Sequence, residues 1–341
     1  MKSPDRDGSQ PPKPGAPSKP PTHRWAFAPR FRARAFGWRS QPAIQRVKEA
    51  VAEIRKVARR DPLLAAEGAV RFLEKVSPAL QRVDSSSGAI GTAVNHAIVE
   101  LAAVISQAPA DRTTRERWLE RLWQAHQDDD IPYIEILADC WGELCASPEL
   151  ASEWADRTKS VVEMMWGPLH RPGGHFHGLP ACLSSLLAAG RHEELLTLIE
   201  KSPHFWWHDR KFGFRALAAM GRVDEAIAYA EATLAKDERP YAIARACEEV
   251  LLQAGRGAEA YGRYALLANQ KTTNLATFRA IVKKYPHREK AAILSDLIDA
   301  TPGEAGKWFA AAKDAGFLEL AADLVQRSPC DPHTLNRAAR D

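Results

Sequence analysis

The sequence predicts an all-α protein whose second half is an α-solenoid of antiparallel helix pairs, preceded by a disordered basic N-terminal arm. Two observations carry the helical reading: apolar residues recur at three- and four-residue steps from Ile44 onward, and no convincing run alternates apolar with polar residues. The third is a repeat. Leu186-Leu187-Ala188-Ala189-Gly190-Arg191, Leu217-Ala218-Ala219-Met220-Gly221-Arg222 and Leu251-Leu252-Gln253-Ala254-Gly255-Arg256 place a glycine between two helical stretches, with Pro286 and Gly316 at the corresponding points of two further units. The spacings of 31, 34, 31 and 30 residues are those of stacked helix–turn–helix units.

Residues 1–40 read as an arm in two parts. Residues 1–22 hold seven of the 23 prolines and almost nothing apolar, so they cannot bury enough surface to offset their conformational entropy. From Arg24 to Arg39, five arginines (Arg24, Arg30, Arg32, Arg34, Arg39) interleave with five aromatics (Trp25, Phe27, Phe31, Phe36, Trp38) and no acid. Three readings stay open for this stretch. Guanidinium groups and rings suit nucleic acid, with Arg30, Arg32, Arg34 and Arg39 as the contacts. The same rings can fold back as a cap over an otherwise open apolar end. Basic and aromatic residues also meet anionic membrane surfaces in this combination.

Residues 41–166 form an N-terminal helical region. Ile44, Val47, Val51, Ile54 and Val57 share one face of a basic helix, and Asp61-Pro62 supplies an N-cap and first-turn proline for the next. Further helices are expected near 92–107, 112–127, 131–146 and 148–166, with Glu135, Asp139 and Glu143 on one acidic face of the third. A loop, 167–178, carries His170, His175 and His177. Imidazoles at this spacing can share a metal, but no third ligand set completes a site, so a metal-dependent enzyme is the least favoured function. Repeats then span 179–335, followed by a tail, 336–341. In register, Leu195, Ala226, Ala260, Ala291 and Ala321 follow the turn by five residues, and Leu186, Leu217, Leu251, Val282 and Ala312 precede it by four.

Leu217-Ala-Ala-Met-Gly221-Arg-Val-Asp-Glu-Ala226-Ile resembles the turn and second helix of a tetratricopeptide repeat, whose signature glycine and alanine map onto Gly221 and Ala226. The resemblance covers about residues 179–335, lacks the family's tryptophan early in the first helix, and implies a concave surface that binds proteins or peptides. The whole chain also resembles a group of bacterial helical-repeat proteins of unknown function, through Phe36-Gly-Trp-Arg-Ser-Gln-Pro42, Asp61-Pro-Leu-Leu-Ala-Ala-Glu-Gly68 and Asn269-Gln-Lys-Thr-Thr273.

Charge divides the chain: residues 1–60 hold 15 basic against 4 acidic residues, the rest 32 against 39. Five scattered cysteines without a C-x-x-C pair suit reduced thiols, and the absence of a secretory signal or an uninterrupted apolar span points to the cytoplasm. Neither a phosphate loop, nor a nucleophile elbow, nor a zinc-protease helix is present, and no cofactor is expected. The expected function is therefore that of a non-catalytic interaction or adaptor protein. Its groove residues are expected to be Trp206, Trp207, Arg210, Lys271 and Asn274, with one of the two tryptophans in the core and the other exposed. The runner-up is a nucleic-acid-associated protein acting through the arm.

Overall fold

The computed structural model describes residues 23–167, 176–234 and 240–327, together with Pro332 and Asn336, and these residues form helices and turns without a strand. The chain divides into two compact units, Met1–Leu137 and Ala138–Asp341. The division falls inside the region expected over 41–166, because the residues after it pack forward along the chain. The Gly142 N–H donates to Ser184 Oγ at 3.0 Å, and that hydroxyl donates to the Asp139 carbonyl at 2.8 Å.

In the first unit, α1 (Ser40–Ala58), α2 (Pro62–Leu80), α3 (Ala89–Ser106) and α4 (Arg112–Gln127) surround a core centred on α2. Asp61 caps α2 as its position ahead of Pro62 dictates, its carboxylate accepting the Leu64 N–H at 2.9 Å. Opposite faces of α2 are in use at once. Phe72, Leu73, Val76 and Leu80 are buried, while Glu67 and Glu74 receive the Arg121 guanidinium of α4 at 2.6 and 2.7 Å. Of the described helices, α3 alone is long and apolar enough to cross a membrane by length and composition. Its Ile90, Val94, Ile98, Leu101 and Ile105 are buried in a unit where α3 packs on α1 and α2, and Arg115 closes its C-terminus by donating to the carbonyls of Ile105, Ser106 and Ala108.

The expected disorder of residues 1–40 does not hold for residues 23–39; residues 1–22 lie outside the described residues. Trp25, Phe27 and Phe31 are 3%, 3% and 1% exposed. Phe27 and Phe31 meet Phe72 edge-on at 5.7 and 5.1 Å, and Glu53 of α1 accepts the N–H groups of Ala26 and Phe27 at 2.8 and 3.1 Å. Trp25 lies so close to Gly68 that a Cβ there would come within 2.1 Å of its ring. The rings outweigh the arginines because a guanidinium can reach water from the segment's outer side while the Trp25, Phe27 and Phe31 rings leave water almost entirely.

The second unit begins with a 3₁₀ turn, Glu135–Cys140, that crosses the division, then α5 (Trp141–Cys145) and α6 (Pro148–Met165). The single helix expected over 131–146 is thus a 3₁₀ segment running into one short α-turn. A 3₁₀ turn takes three residues rather than 3.6, so Glu135, Asp139 and Glu143 do not share the acidic face their spacing implied. Asp139 instead pairs with Lys211 Nζ at 2.5 Å.

Hairpins of helices follow: α7 (Leu179–Ala188) with α8 (His192–Glu200), α9 (Trp207–Ala219) with α10 (Val223–Leu234), and α11 (Pro240–Gln253) with a rod made of α12 (Gly257–Ala260), a π-helical turn (Tyr261–Ala265) and α13 (Leu266–Ala268). After them come α14 (Asn274–Lys284) with α15 (Lys290–Asp299), and α16 (Phe309–Asp314) with α17 (Leu318–Arg327). Each hairpin packs within itself, and α7 also meets α9, as α14 meets α16.

Gly190, Gly221, Gly255 and Gly316 close the first helices of four hairpins at φ of +72°, +75°, +73° and +86°. In each, the N–H one residue beyond the glycine reaches back to the carbonyl five residues earlier: Arg191 to Leu186 at 3.0 Å, Arg222 to Leu217 at 2.9 Å, Arg256 to Leu251 at 2.8 Å and Phe317 to Ala312 at 2.9 Å. This is the Schellman closure, which needs a left-handed residue. The register read from the glycines holds at Leu195, Ala226, Ala260 and Ala321, all buried. It fails in the Pro286 unit. Ala291 is exposed and Val282 only half-buried, while Ile281 and Ile293 fill the core. With no glycine, α14 ends at Lys284 and Tyr285 follows at φ −120° and ψ 66°, outside the left-handed region, and α15 starts four residues after Pro286 rather than the two that separate Gly190 from α8.

Two substitutions test these features. Gly221→Ala forces a Cβ into a left-handed residue and should cost about 1–2 kcal/mol in chemical denaturation. Gly262→Ala, at a position with open space and no positive φ, should cost far less; equal losses would contradict the turn assignment. Gly68→Ala should cost about 1–3 kcal/mol by overpacking against Trp25. It should also make the Arg24–Arg39 bonds newly sensitive to trypsin, which an unchanged digestion pattern would refute.

Candidate partner-binding surface

The loop from α8 to α9 turns on Ser202, whose Oγ accepts the His204 N–H at 3.3 Å and donates to the His204 carbonyl at 3.1 Å. Phe205 and Trp206 then stand out from the second unit. Trp206 is the N-cap residue of α9: its backbone is extended, and its carbonyl receives the N–H groups of Asp209 and Arg210 at 3.2 and 3.1 Å. Its indole is 48% exposed yet held in place, stacked against the His204 imidazole at 4.1 Å and 9° and against His208 at 5.4 Å and 27°.

Trp207, one residue on, is 6% exposed and meets Phe214 edge-on at 5.5 Å inside the hairpin core. The core and exposed roles that the sequence leaves open between the two tryptophans are therefore assigned. Trp207 is the first residue of α9 and shares its buried face with Phe214 and Leu217. Trp207 is accordingly not a surface contact.

Arg210 lies one helical turn beyond Trp206. Its guanidinium carbon is 3.9 Å from the centre of the Tyr229 ring and 4.9 Å from that of Phe205. Its Nε donates at 2.7 Å to Thr233 Oγ1, and that buried hydroxyl donates in turn to the Tyr229 carbonyl at 2.9 Å. Burial pulls the Arg210 pKa below its ordinary value and pushes the Tyr229 hydroxyl up to about 12. Cationic, planar and held by two rings, this arginine is oriented before anything binds.

Lys271 and Asn274 belong elsewhere. Asn274 opens α14 and donates to the Lys307 carbonyl at 3.1 Å, and Lys271 uses its backbone N–H on Thr277 Oγ1 at 2.9 Å while its side chain is exposed. Asn269 is buried, donating to Glu248 at 2.6 Å and to the Ala265 carbonyl at 2.8 Å. Glu248, itself fully buried, also takes the Tyr285 hydroxyl at 2.6 Å and Lys284 Nζ at 2.5 Å. The polar run 269–274 thus serves helix capping and a buried network, with the Lys271 side chain left at the surface.

In the first unit the arm arginines do not share one role. Arg30 pairs with Glu49 at 3.2 Å beside a cleft of about 310 Å³, and Arg34 donates to Gln81 at 3.2 Å from a left-handed backbone. Arg32 and Arg39 are exposed, as is Trp38 at 72%. With Trp25, Phe27 and Phe31 buried, three of the five rings are withheld from base stacking. His170 and His175 lie outside the described residues, so the histidine loop is represented by His177 alone. Among described thiols, burial pushes Cys140 and Cys182 up to about 11 and Cys247 up to about 12, leaving them protonated at neutral pH.

A recurrent feature escaped the sequence reading. The arginine after each of three turn glycines grips the glutamate three residues later and also reaches an acid on an earlier helix. Arg191 holds Glu194 at 2.6 Å and Asp156 at 2.6 Å; Arg222 holds Glu225 at 2.5 Å and Glu193 at 3.1 Å; Arg256 holds Glu259 at 2.6 Å and Asp224 at 2.6 Å. The bonds run from α8 to α6, from α10 to α8 and from α12 to α10. The signal was present as Gly-Arg-x-x-Glu in three units. The Arg191 hydrogen bonds, aided by Lys159, hold the Glu194 carboxyl down to about 2.

No protein-family model matches the chain, and neither a curated protein nor a solved structure does.

The Glu194 pKa sets a pH test. Its folded value is depressed from the ordinary 4.5, so its contribution is full above about pH 4.5 and is lost as pH falls toward about 2. Thermal denaturation across that window should show a smaller acid-induced loss for Glu194→Gln than for the parent chain. Parallel curves would remove Glu194 from the linkage.

Proposed function

We propose that this chain is a non-catalytic interaction protein in which the helix hairpins of the second unit stack as a tetratricopeptide-like α-solenoid and offer Phe205, Trp206 and Arg210 to a protein partner. The observation that carries the reading is the Trp206 indole, half exposed and stacked against two imidazoles. A large ring already held in one orientation loses little entropy on binding, and tryptophan and arginine dominate interface energetics for that reason. The solenoid part is supported by the four left-handed glycine turns and by the contacts of α7 with α9 and α14 with α16. A reducing compartment such as the cytoplasm suits a chain whose Cys140, Cys145, Cys182 and Cys247 are all free.

Selection of displayed random peptides on the full chain tests the reading. Ligands recovered on the parent should bind Trp206→Ala about tenfold or more weakly, the loss typical of a hot-spot truncation. The melting temperature should stay unchanged, since the indole lies outside the core. Ligands that bind both proteins equally would overturn it, and so would failure to recover any.

A further inference from the structure

Among the described residues of the second unit six guanidinium groups are answered by carboxylates, while Arg215 and Arg245 are exposed and hold none. Arg191, Arg222 and Arg256 hold two acids each, Arg263 holds Glu231 and Glu259 at 2.6 Å each, and Arg288 holds Asp296 at 2.8 Å while lying over the Tyr261 ring. The last case is instructive, because it joins the same ring contact to a paired acid.

Arg210 has the ring contacts and lacks the acid. Thr233 takes its Nε, and among the described residues no acceptor takes either Nη group. Neither Nη is sealed off, since neither is among the buried polar atoms left without a partner. Glu200 acts on it only through space, beyond ion-pairing distance, and the neighbouring Lys211 is committed to Asp139 at 2.5 Å. A half-buried cation has lost part of its hydration, and two Nη edges that reach solvent and are held in one plane by the rings are the geometry that receives a carboxylate side-on.

We propose that Arg210 is the anion-recognising element of the partner surface, and that it receives the side-chain carboxylate of an Asp or Glu which the partner protein carries beside an apolar or aromatic residue. This rests on the functional reading above. A carboxylate is favoured over a phosphate because one guanidinium with Glu200 nearby matches one negative charge, and among the described residues no lysine or arginine acts on Arg210 to help neutralise a dianion. The apolar neighbour follows from Phe205 and Trp206, exposed on the approach to Arg210 and offering ring faces to whatever flanks the acid.

The peptides selected on the full chain supply the test, rescreened by fluorescence anisotropy against Trp206→Ala, Arg210→Gln and Arg210→Lys. Peptides dependent on Trp206 should contain Asp or Glu next to an apolar residue. Changing that acid to its amide should weaken binding to the parent about tenfold or more and leave binding to Arg210→Gln unaltered. Lysine keeps the charge but not the planar fork, so Arg210→Lys should restore only part of the difference. Phe205→Ala removes one ring while leaving Tyr229 and Thr233 in place, and should weaken the acidic peptides even if Arg210→Gln fails to fold. Peptides that need Trp206 but bind Arg210→Gln as well as the parent would overturn this assignment while leaving the interaction surface standing. A phosphoserine in place of the acid that binds more tightly than the carboxylate would overturn it too. Peptides that ignore both residues would overturn both readings.

Discussion

The second unit depends on a backbone conformation that most side chains avoid. At each of four turns a residue at φ between +72° and +86° lets the first helix close its last carbonyls on the N–H groups of the residues that follow. The second helix then starts two residues later, so the reversal is short and the two helices pack against each other. Everything downstream inherits that geometry. The residue five past the glycine, alanine in three turns and Leu195 in the first, is buried between the helices because the turn is short, and in three turns the arginine one residue past the glycine falls within reach of an earlier helix for the same reason. Where glycine is replaced by Pro286, the linker lengthens by two residues and the core position moves from Ala291 to Ile293, which is the compensation the constraint predicts.

The first unit shows a different balance. Residues 24–39 carry five arginines among five aromatic rings, and their composition leaves open whether they reach outward or fold back as a cap. Folding is decided residue by residue. Trp25, Phe27 and Phe31 enter one apolar surface around Phe72, and the intervening backbone is not left to water, because Glu53 accepts two of its N–H groups and the Pro78 carbonyl accepts that of Arg34 at 2.8 Å. The arginines are compatible with this because each has an outward path. Burial of rings therefore answers part of what the segment's unusual composition asked, with Trp38, Arg32 and Arg39 as the remainder on the surface.

Legibility followed the range of the interaction. Asp61 before Pro62, the left-handed glycines and the helical period rest on bonds within five residues, and they could be read directly. The division of roles between Trp206 and Trp207 depends on where α9 begins to the residue, which local pattern does not settle. Arg210 was readable as a surface candidate but not as a cation without an acid, since that requires knowing that Tyr229 and Thr233 lie beside it on the next helix. The local bonds around Lys271 and Asn274 were hidden for the converse reason: a polar run looks the same whether it faces a ligand or caps α14 and feeds the buried Glu248.

The contrast between Glu248 and Arg210 separates polarity that the fold satisfies from polarity that it leaves open. Glu248 is fully buried and answered by an amide, a phenol and an ammonium group, so its charge is neutralised within the fold and nothing remains to recruit. Arg210 is half-buried and answered by one hydroxyl and two rings. Cation–ring contacts contribute about 0.5–2 kcal/mol but do not neutralise charge, so the fold holds the guanidinium in position without satisfying it. A side chain that is oriented by its own protein yet left electrostatically incomplete has little left to lose in ordering and an ion pair left to gain. That asymmetry, more than the exposure of the neighbouring indole, is what distinguishes the 204–210 surface from the paired arginines along the same helices.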